Sequence, residues 1–106
     1  MTSLSLLVLR CADIEMSKQF YSTLGLSFTL EKHGSGPEHY ACVLDGTVIE
    51  LYPRKEDITD KTRLGFHVHD LETIASALGA ATKEGYAVVK DPDGRNVELR
   101  AYPKPI

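Results

Sequence analysis

Short apolar and polar runs follow one another along this chain in an order that occurs twice. Leu4 to Arg10 is an apolar, strand-like run closed by Asp13, Ile14 and Glu15, and Arg63 to His69 is a second one closed by Asp70, Leu71 and Glu72. Each aspartate suits a helix N-cap, and the glutamate two residues on suits the positive end of the helix dipole. Ile14, Phe20, Tyr21 and Leu24 then recur at near-helical spacing, as do Leu71, Ile74, Ala75 and Leu78, and each run meets a glycine stop at Gly25 or Gly79. The pattern predicts strand then helix in both copies.

Both copies also end alike. Tyr40 to Val43 precedes Asp45, Gly46 and Val48 to Leu51, while Tyr86 to Val89 precedes Asp93, Gly94 and Asn96 to Leu99. Asp-Gly pairs between alternating strands predict tight hairpin turns with positive φ. The capping aspartates are 57 residues apart and the closing glutamates, Glu50 and Glu98, only 48, so the second copy is nine residues shorter in its middle. The first copy spends those residues on Leu26 to His33 and the glycine-rich turn Gly34 to Pro37, which lacks the Lys-Ser or Lys-Thr of a phosphate loop. In the second, only Ala80 to Lys83 is available for the second strand, which is expected to be short or frayed. The expectation is one α+β domain over residues 1–106, built from two strand-helix-strand-strand-strand units at about 1–52 and 63–102. The polar segment 53–62 reads as an exposed connector, and the tail Pro103, Lys104, Pro105 cannot continue a ladder.

Strand alternation assigns faces. Leu7 and Leu9 belong under the first helix, leaving Leu6, Val8 and Arg10 on the other side; Leu64, Phe66 and Val68 leave Arg63, Gly65, His67 and His69 opposite. In the closing strands Ile49, Leu51, Val97 and Leu99 go to the core. Glu50 and Tyr52, and Glu98 and Arg100, then face the helix-free side. A concave sheet face with two carboxylates and several cations is where ligand chemistry is expected.

Composition narrows the field. Twelve Lys and Arg against fifteen Asp and Glu give a net charge of -3 with the cations scattered, which argues against a nucleic-acid or anionic-membrane surface. No apolar run approaches the roughly 20 residues of a membrane span, and the start lacks a signal-peptide pattern, so a cytoplasmic location is expected. Cys11 and Cys42 have no metal-type spacing and read as small buried thiols.

Asp13 with Phe20, Tyr21, Leu24, Gly25 and Leu26, together with Asp91-Pro92-Asp93-Gly94 followed by Val97, Glu98 and Leu99, resembles the glyoxalase, bleomycin-resistance and extradiol dioxygenase superfamily, the vicinal oxygen chelate proteins. The resemblance implies paired βαβββ units with curved mixed sheets, a homodimer, and a small-molecule site in each curved sheet. Metal-using members hold the ion with one residue in each opening strand and a glutamate in each closing strand; here those positions are Leu6, Glu50, Arg63 and Glu98. Leucine has no donor atom and arginine repels cations, so no metal and no other cofactor is expected at this position. Arg63 is expected to neutralise the two glutamates in place of the ion.

The resulting expectation is a metal-free cavity for a small organic ligand, lined by Arg10, Arg63, His67, Tyr52, Leu6 and Val8. An alternative is a lyase or isomerase with Glu50 or Glu98 as general base, or one with a rearranged metal site drawing on His67 and His69 with Glu98, or with His33 and His39. A third reading makes the polar face a dimer surface in a small interaction module. Tyr40 and Tyr86, equivalent in the repeat, either stack on a ring-bearing ligand or fill a sheet face.

Overall fold

The structure is a computed structural model that describes residues 1–57 and 60–103. The chain divides into two compact units, Met1–Thr59 and Asp60–Ile106.

In the first unit, β1 (Leu6–Cys11) leads into α1 (Ile14–Thr23), followed by β2 (Thr29–Glu31), β3 (His39–Leu44) and β4 (Thr47–Pro53). The sheet order is β1-β4-β3-β2, with β1 and β4 parallel and the other pairs antiparallel. Asp13 caps α1 as expected: its side chain accepts from the backbone N–H groups of Glu15 (2.9 Å) and Met16 (3.2 Å). The helix buries Ser17 and Tyr21 and is continued by buried Leu24, one stripe of its surface. Leu9, Cys11, Cys42, Ile49 and Leu51 complete this core. Burial pushes the Cys42 thiol up, which keeps it protonated and chemically quiet. Asp45 (φ 50°) and Gly46 (φ 82°) form the β3–β4 turn with two positive φ values in succession.

In the second unit, β5 (Leu64–Val68), α2 (Leu71–Ala77), β6 (Tyr86–Lys90) and β7 (Asn96–Ala101) repeat the plan, with sheet order β5-β7-β6 and β5 parallel to β7. Both mixed sheets are curved and unclosed, the α+β architecture expected. The counterpart of β2 is reduced to a bridge between Lys83 and Tyr86 across a turn at Glu84 (φ 53°) and Gly85 (φ 74°). Four residues between the helix stop and this turn are too few for a ladder.

Two local expectations are corrected. Asp70 does not cap α2 with its side chain: it sits in the left-handed region at φ 57°, and its carboxylate makes no cap hydrogen bond. The second Asp-Gly pair is not a two-residue turn either. β6 and β7 are joined through residues 91–95, closed by Gly94 N–H donating to Asp91 C=O (2.9 Å) and Asp91 N–H donating to Arg95 C=O (3.0 Å). Pro92 presets the first turn residue, and Gly94 takes the positive φ of 89°.

This longer turn surrounds Arg95, whose guanidinium is buried. Its Nε and Nη2 donate to the two carboxylate oxygens of Asp60 (2.9 and 2.8 Å), and its Nη1 donates to Asp91 (3.1 Å), with Asp93 3.6 Å away. Asp91 also accepts from the backbone N–H groups of Asp93 and Arg95. The Arg95 guanidinium holds the Asp60 carboxyl well below the usual carboxylate range. The end of the connector is therefore anchored at Asp60, whereas residues 58 and 59 lie outside the described set, as do Lys104 and Pro105 of the tail.

Candidate functional site

On the helix-free side of the first sheet, strand register aligns a row of side chains across all four strands. Arg10 on β1 pairs with Tyr52 on β4, and its guanidinium lies 5.0 Å from the centre of the Tyr52 ring. One step beyond the Tyr40–Leu51 pair, the Tyr52 ring stacks on His39 of β3 with centroids 4.1 Å apart. His39 in turn pairs with Glu31 of β2. Glu50 occupies the adjacent rung, between Val8 and Ala41, and its carboxylate lies 3.4 Å from His39 Nε2. Leu6, one rung further, is beside Val48 and is half exposed. A hollow of about 430 Å3 opens at Arg10, Arg54, Lys55 and Glu56, three cations and one acid.

The second sheet carries the same rows with different chemistry. His67 pairs with Arg100, and Arg100 pairs with Tyr86, its guanidinium 4.4 Å from the ring centre. On the next rung Glu98 lies between Gly65 and Val88. Arg63, immediately before β5, donates to the Glu98 carboxylate from Nε (2.8 Å) and Nη2 (2.6 Å), and its Nη2 also reaches the Tyr86 hydroxyl at 3.4 Å. The hydrogen bonds from Arg63 hold the Glu98 carboxyl below its ordinary range, while those same bonds to Glu98 push the guanidinium up. Where the first sheet has Val8, the second has Gly65, and a cavity of about 210 Å3 is lined there by Gly65, Phe66, His67, Glu98 and Arg100. A Cβ on Gly65 would meet Glu98 at 3.9 Å, so the glycine leaves open space rather than relieving a clash.

The expected site residues thus fall into two sets, each organised within its own unit. Arg10, Tyr52, Val8 and Glu50 gather on the first sheet with Leu6 at their edge, and Arg63, Glu98 and His67 gather on the second. His67 and His69 both stack on Tyr102, with centroids 5.4 and 4.4 Å apart, which gives this histidine pair an aromatic partner within its own unit. Of the two equivalent tyrosines, Tyr40 is buried and donates to Glu15 (2.5 Å), a bond that pushes its hydroxyl pKa up. Tyr86 is the one beside the pocket residues. His39 is the site residue that sequence reasoning undervalued. Its alternation within β3 gave a signal, because it shares the face of Ala41, opposite Glu50.

The four family ligand positions do not suit a transition ion. Leu6 offers no donor, Arg63 is a permanent cation already engaged by Glu98, and the remaining pair of carboxylates falls short of the three or more ligands such ions take.

A family model described as Glyoxalase/Bleomycin resistance protein/Dioxygenase superfamily matches residues 3–102. The chain belongs to this superfamily. The solved structures it resembles include Oxidase ChaP-H2, 18% identical with TM-score 0.72 over 96% of this chain and 94% of that one. An antibiotic binding protein, TnmS3 from Streptomyces sp. CB03234, is 20% identical with TM-score 0.70 over 97% and 98%. A possible glyoxalase from Bacillus cereus is also 20% identical, with TM-score 0.71 over 95% and 100%. At these identities the likeness is one of fold. No curated protein matches the chain in sequence. Among the described residues, no helix is long and apolar enough to cross a membrane.

Proposed function

We propose that the protein binds a small organic molecule, with the family metal position replaced by the Arg63–Glu98 ion pair. That pair is the observation that carries the reading: two family ligand positions satisfy each other at 2.6–2.8 Å. The hollow over Gly65 accommodates a ring-sized group, with Phe66 and His67 as walls and Arg100 for an anionic or carbonyl oxygen. Arg10, with Arg54 and Lys55, offers a further cationic surface on the first unit. The antibiotic-binding relative of the same fold is consistent with sequestration of a small molecule. A homodimer, the arrangement the resemblance implies, is part of this proposal and is read from the mass in solution.

A catalytic reading has one observation in its favour. The carboxylate of Glu50 faces an imidazole at 3.4 Å and is not forked by an arginine as Glu98 is. Any proton abstraction on this scaffold falls to Glu50, because Arg63 weakens Glu98 as a base.

The test is thermal denaturation against a library of oxygen-rich aromatic compounds, in chelator and without it. A ligand at 100 times its dissociation constant adds about 2.7 kcal/mol and raises the melting temperature by roughly 8 °C or more. Gly65→Val gives the second sheet the Val8 side chain, so it is expected to keep the fold and abolish the shift. Failure of every compound to stabilise the protein contradicts the proposal, as does a shift that vanishes in chelator.

A further inference from the structure

We propose that Glu31, His33 and His39, on the β2–β3 hairpin, form a binding site for a divalent transition ion of the zinc class. None of these three residues is one of the four family ligand positions, although Glu50, which is, lies beside His39. His33 Nε2 and His39 Nε2 lie 3.9 and 3.8 Å from the same Glu31 oxygen, Oε1, and all three donor atoms fall within 4.8 Å of one another. Zinc with bonds of about 2.0–2.1 Å brings tetrahedral ligand atoms to about 3.4 Å apart, so the cluster needs only a small contraction. The side chains that must move are the accessible ones: His33 is 71% exposed and Glu31 34%, against 1% for His39.

His39 is already held as a metal-binding imidazole is held. Its Nδ1 lies 3.2 Å from the Pro37 carbonyl, an acceptor only, so the ring proton belongs on Nδ1. Stacking on Tyr52 fixes the ring plane. Nε2 then carries a lone pair that accepts from the Tyr52 hydroxyl at 3.3 Å and also faces two carboxylate oxygens, Glu31 Oε1 at 3.8 Å and Glu50 Oε2 at 3.4 Å. Lone pairs aimed at one another are relieved by a cation between them.

The donor set selects the ion. Calcium and magnesium take oxygen ligands, whereas two imidazoles and a carboxylate suit zinc, cobalt or nickel, with water or Glu50 in the fourth position. Five residues, 34–38, separate the two histidines, a spacing used in structural zinc sites. Among the described residues the second unit has no equivalent, because its counterpart of this hairpin is a single bridge.

The experiment uses the full chain without a histidine tag, stripped by chelator and titrated calorimetrically with zinc. Cobalt is added in parallel to read tetrahedral coordination by visible absorption. One ion per chain is expected, with a dissociation constant of about 10 μM or tighter. His33→Ala and Glu31→Gln each weaken binding by about 10-fold to 100-fold or more. His33 is exposed, so its replacement leaves the fold intact. His67→Ala/His69→Ala and Arg63→Ala leave zinc affinity unchanged, which keeps this site separate from the ligand cavity. No stoichiometric binding by about 100 μM zinc overturns the proposal. So does binding that survives His33→Ala and Glu31→Gln, or that is lost with His67 and His69 or with Arg63.

Discussion

The two units answer one problem differently. Each closing strand puts a glutamate on the helix-free face of its sheet, and the two carboxylates have different neighbours. Glu50 meets a buried imidazole on the next strand; Glu98 meets an arginine from the segment preceding β5. Imidazole is a neutral ligand that shares its lone pair with a cation, whereas guanidinium is itself the cation. The repeat therefore retains its backbone plan while dividing its chemistry: metal-type donors on the first unit and a self-neutralised pocket on the second.

The turns differ in the same sense. Asp45-Gly46 is a tight turn in which the backbone conformation does the work, while residues 91–95 wrap their carboxylates around a buried Arg95. The largest predicted effect follows. Arg95→Ala leaves Asp91 and Asp93 buried without their cation and is expected to cost about 3–5 kcal/mol in chemical denaturation. Asp45→Asn, in the matching turn of the first unit, is expected to change stability by about 0.5 kcal/mol or less, since asparagine also adopts positive φ. Equal losses at the two sites would break the comparison.

A smaller contrast lies at the helix starts. Asp13→Ala removes a working N-cap and is expected to cost about 1 kcal/mol. Asp70 makes no side-chain cap and sits at positive φ, so Asp70→Gly is expected to be neutral within about 0.5 kcal/mol or slightly stabilising. Circular dichroism melts of the two variants measure the difference.

The smallest effect is a pH dependence. The folded-state pKa of Glu98 is depressed by Arg63, so its contribution is present above the usual carboxylate pKa and is lost as pH falls through the lower folded value. Stability of wild type and Arg63→Ala is expected to differ most near neutrality and to converge in acid, read from urea midpoints across pH. Curves that stay parallel would show that the pair contributes no proton linkage.

Much of this was legible in the sequence. The repeat, the faces of β1, β4, β5 and β7, the cap at Asp13 and the weakness of the strand after Gly79 follow from apolar spacing and residue counts. Asp70 escaped because a side-chain cap needs extended backbone, as at Asp13, and Asp70 lies in the left-handed region instead. Arg95 escaped because an arginine in a turn reads as solvated; only the fold shows three aspartates closing on it. Arg63 was expected to neutralise both Glu50 and Glu98, and the structure shows its pairing with Glu98; the position of His39 against Glu50 required the β3–β4 register.

The proposal that Arg63 stands in for a metal ion beside Glu98 is decided by the carboxyl resonance of Glu98, followed by NMR across acid pH. Titration below the usual carboxylate range in the wild type, return to that range in Arg63→Ala, and no displacement of this resonance by zinc are expected. Ordinary titration in the wild type, or a Glu98 signal that zinc shifts, would contradict it.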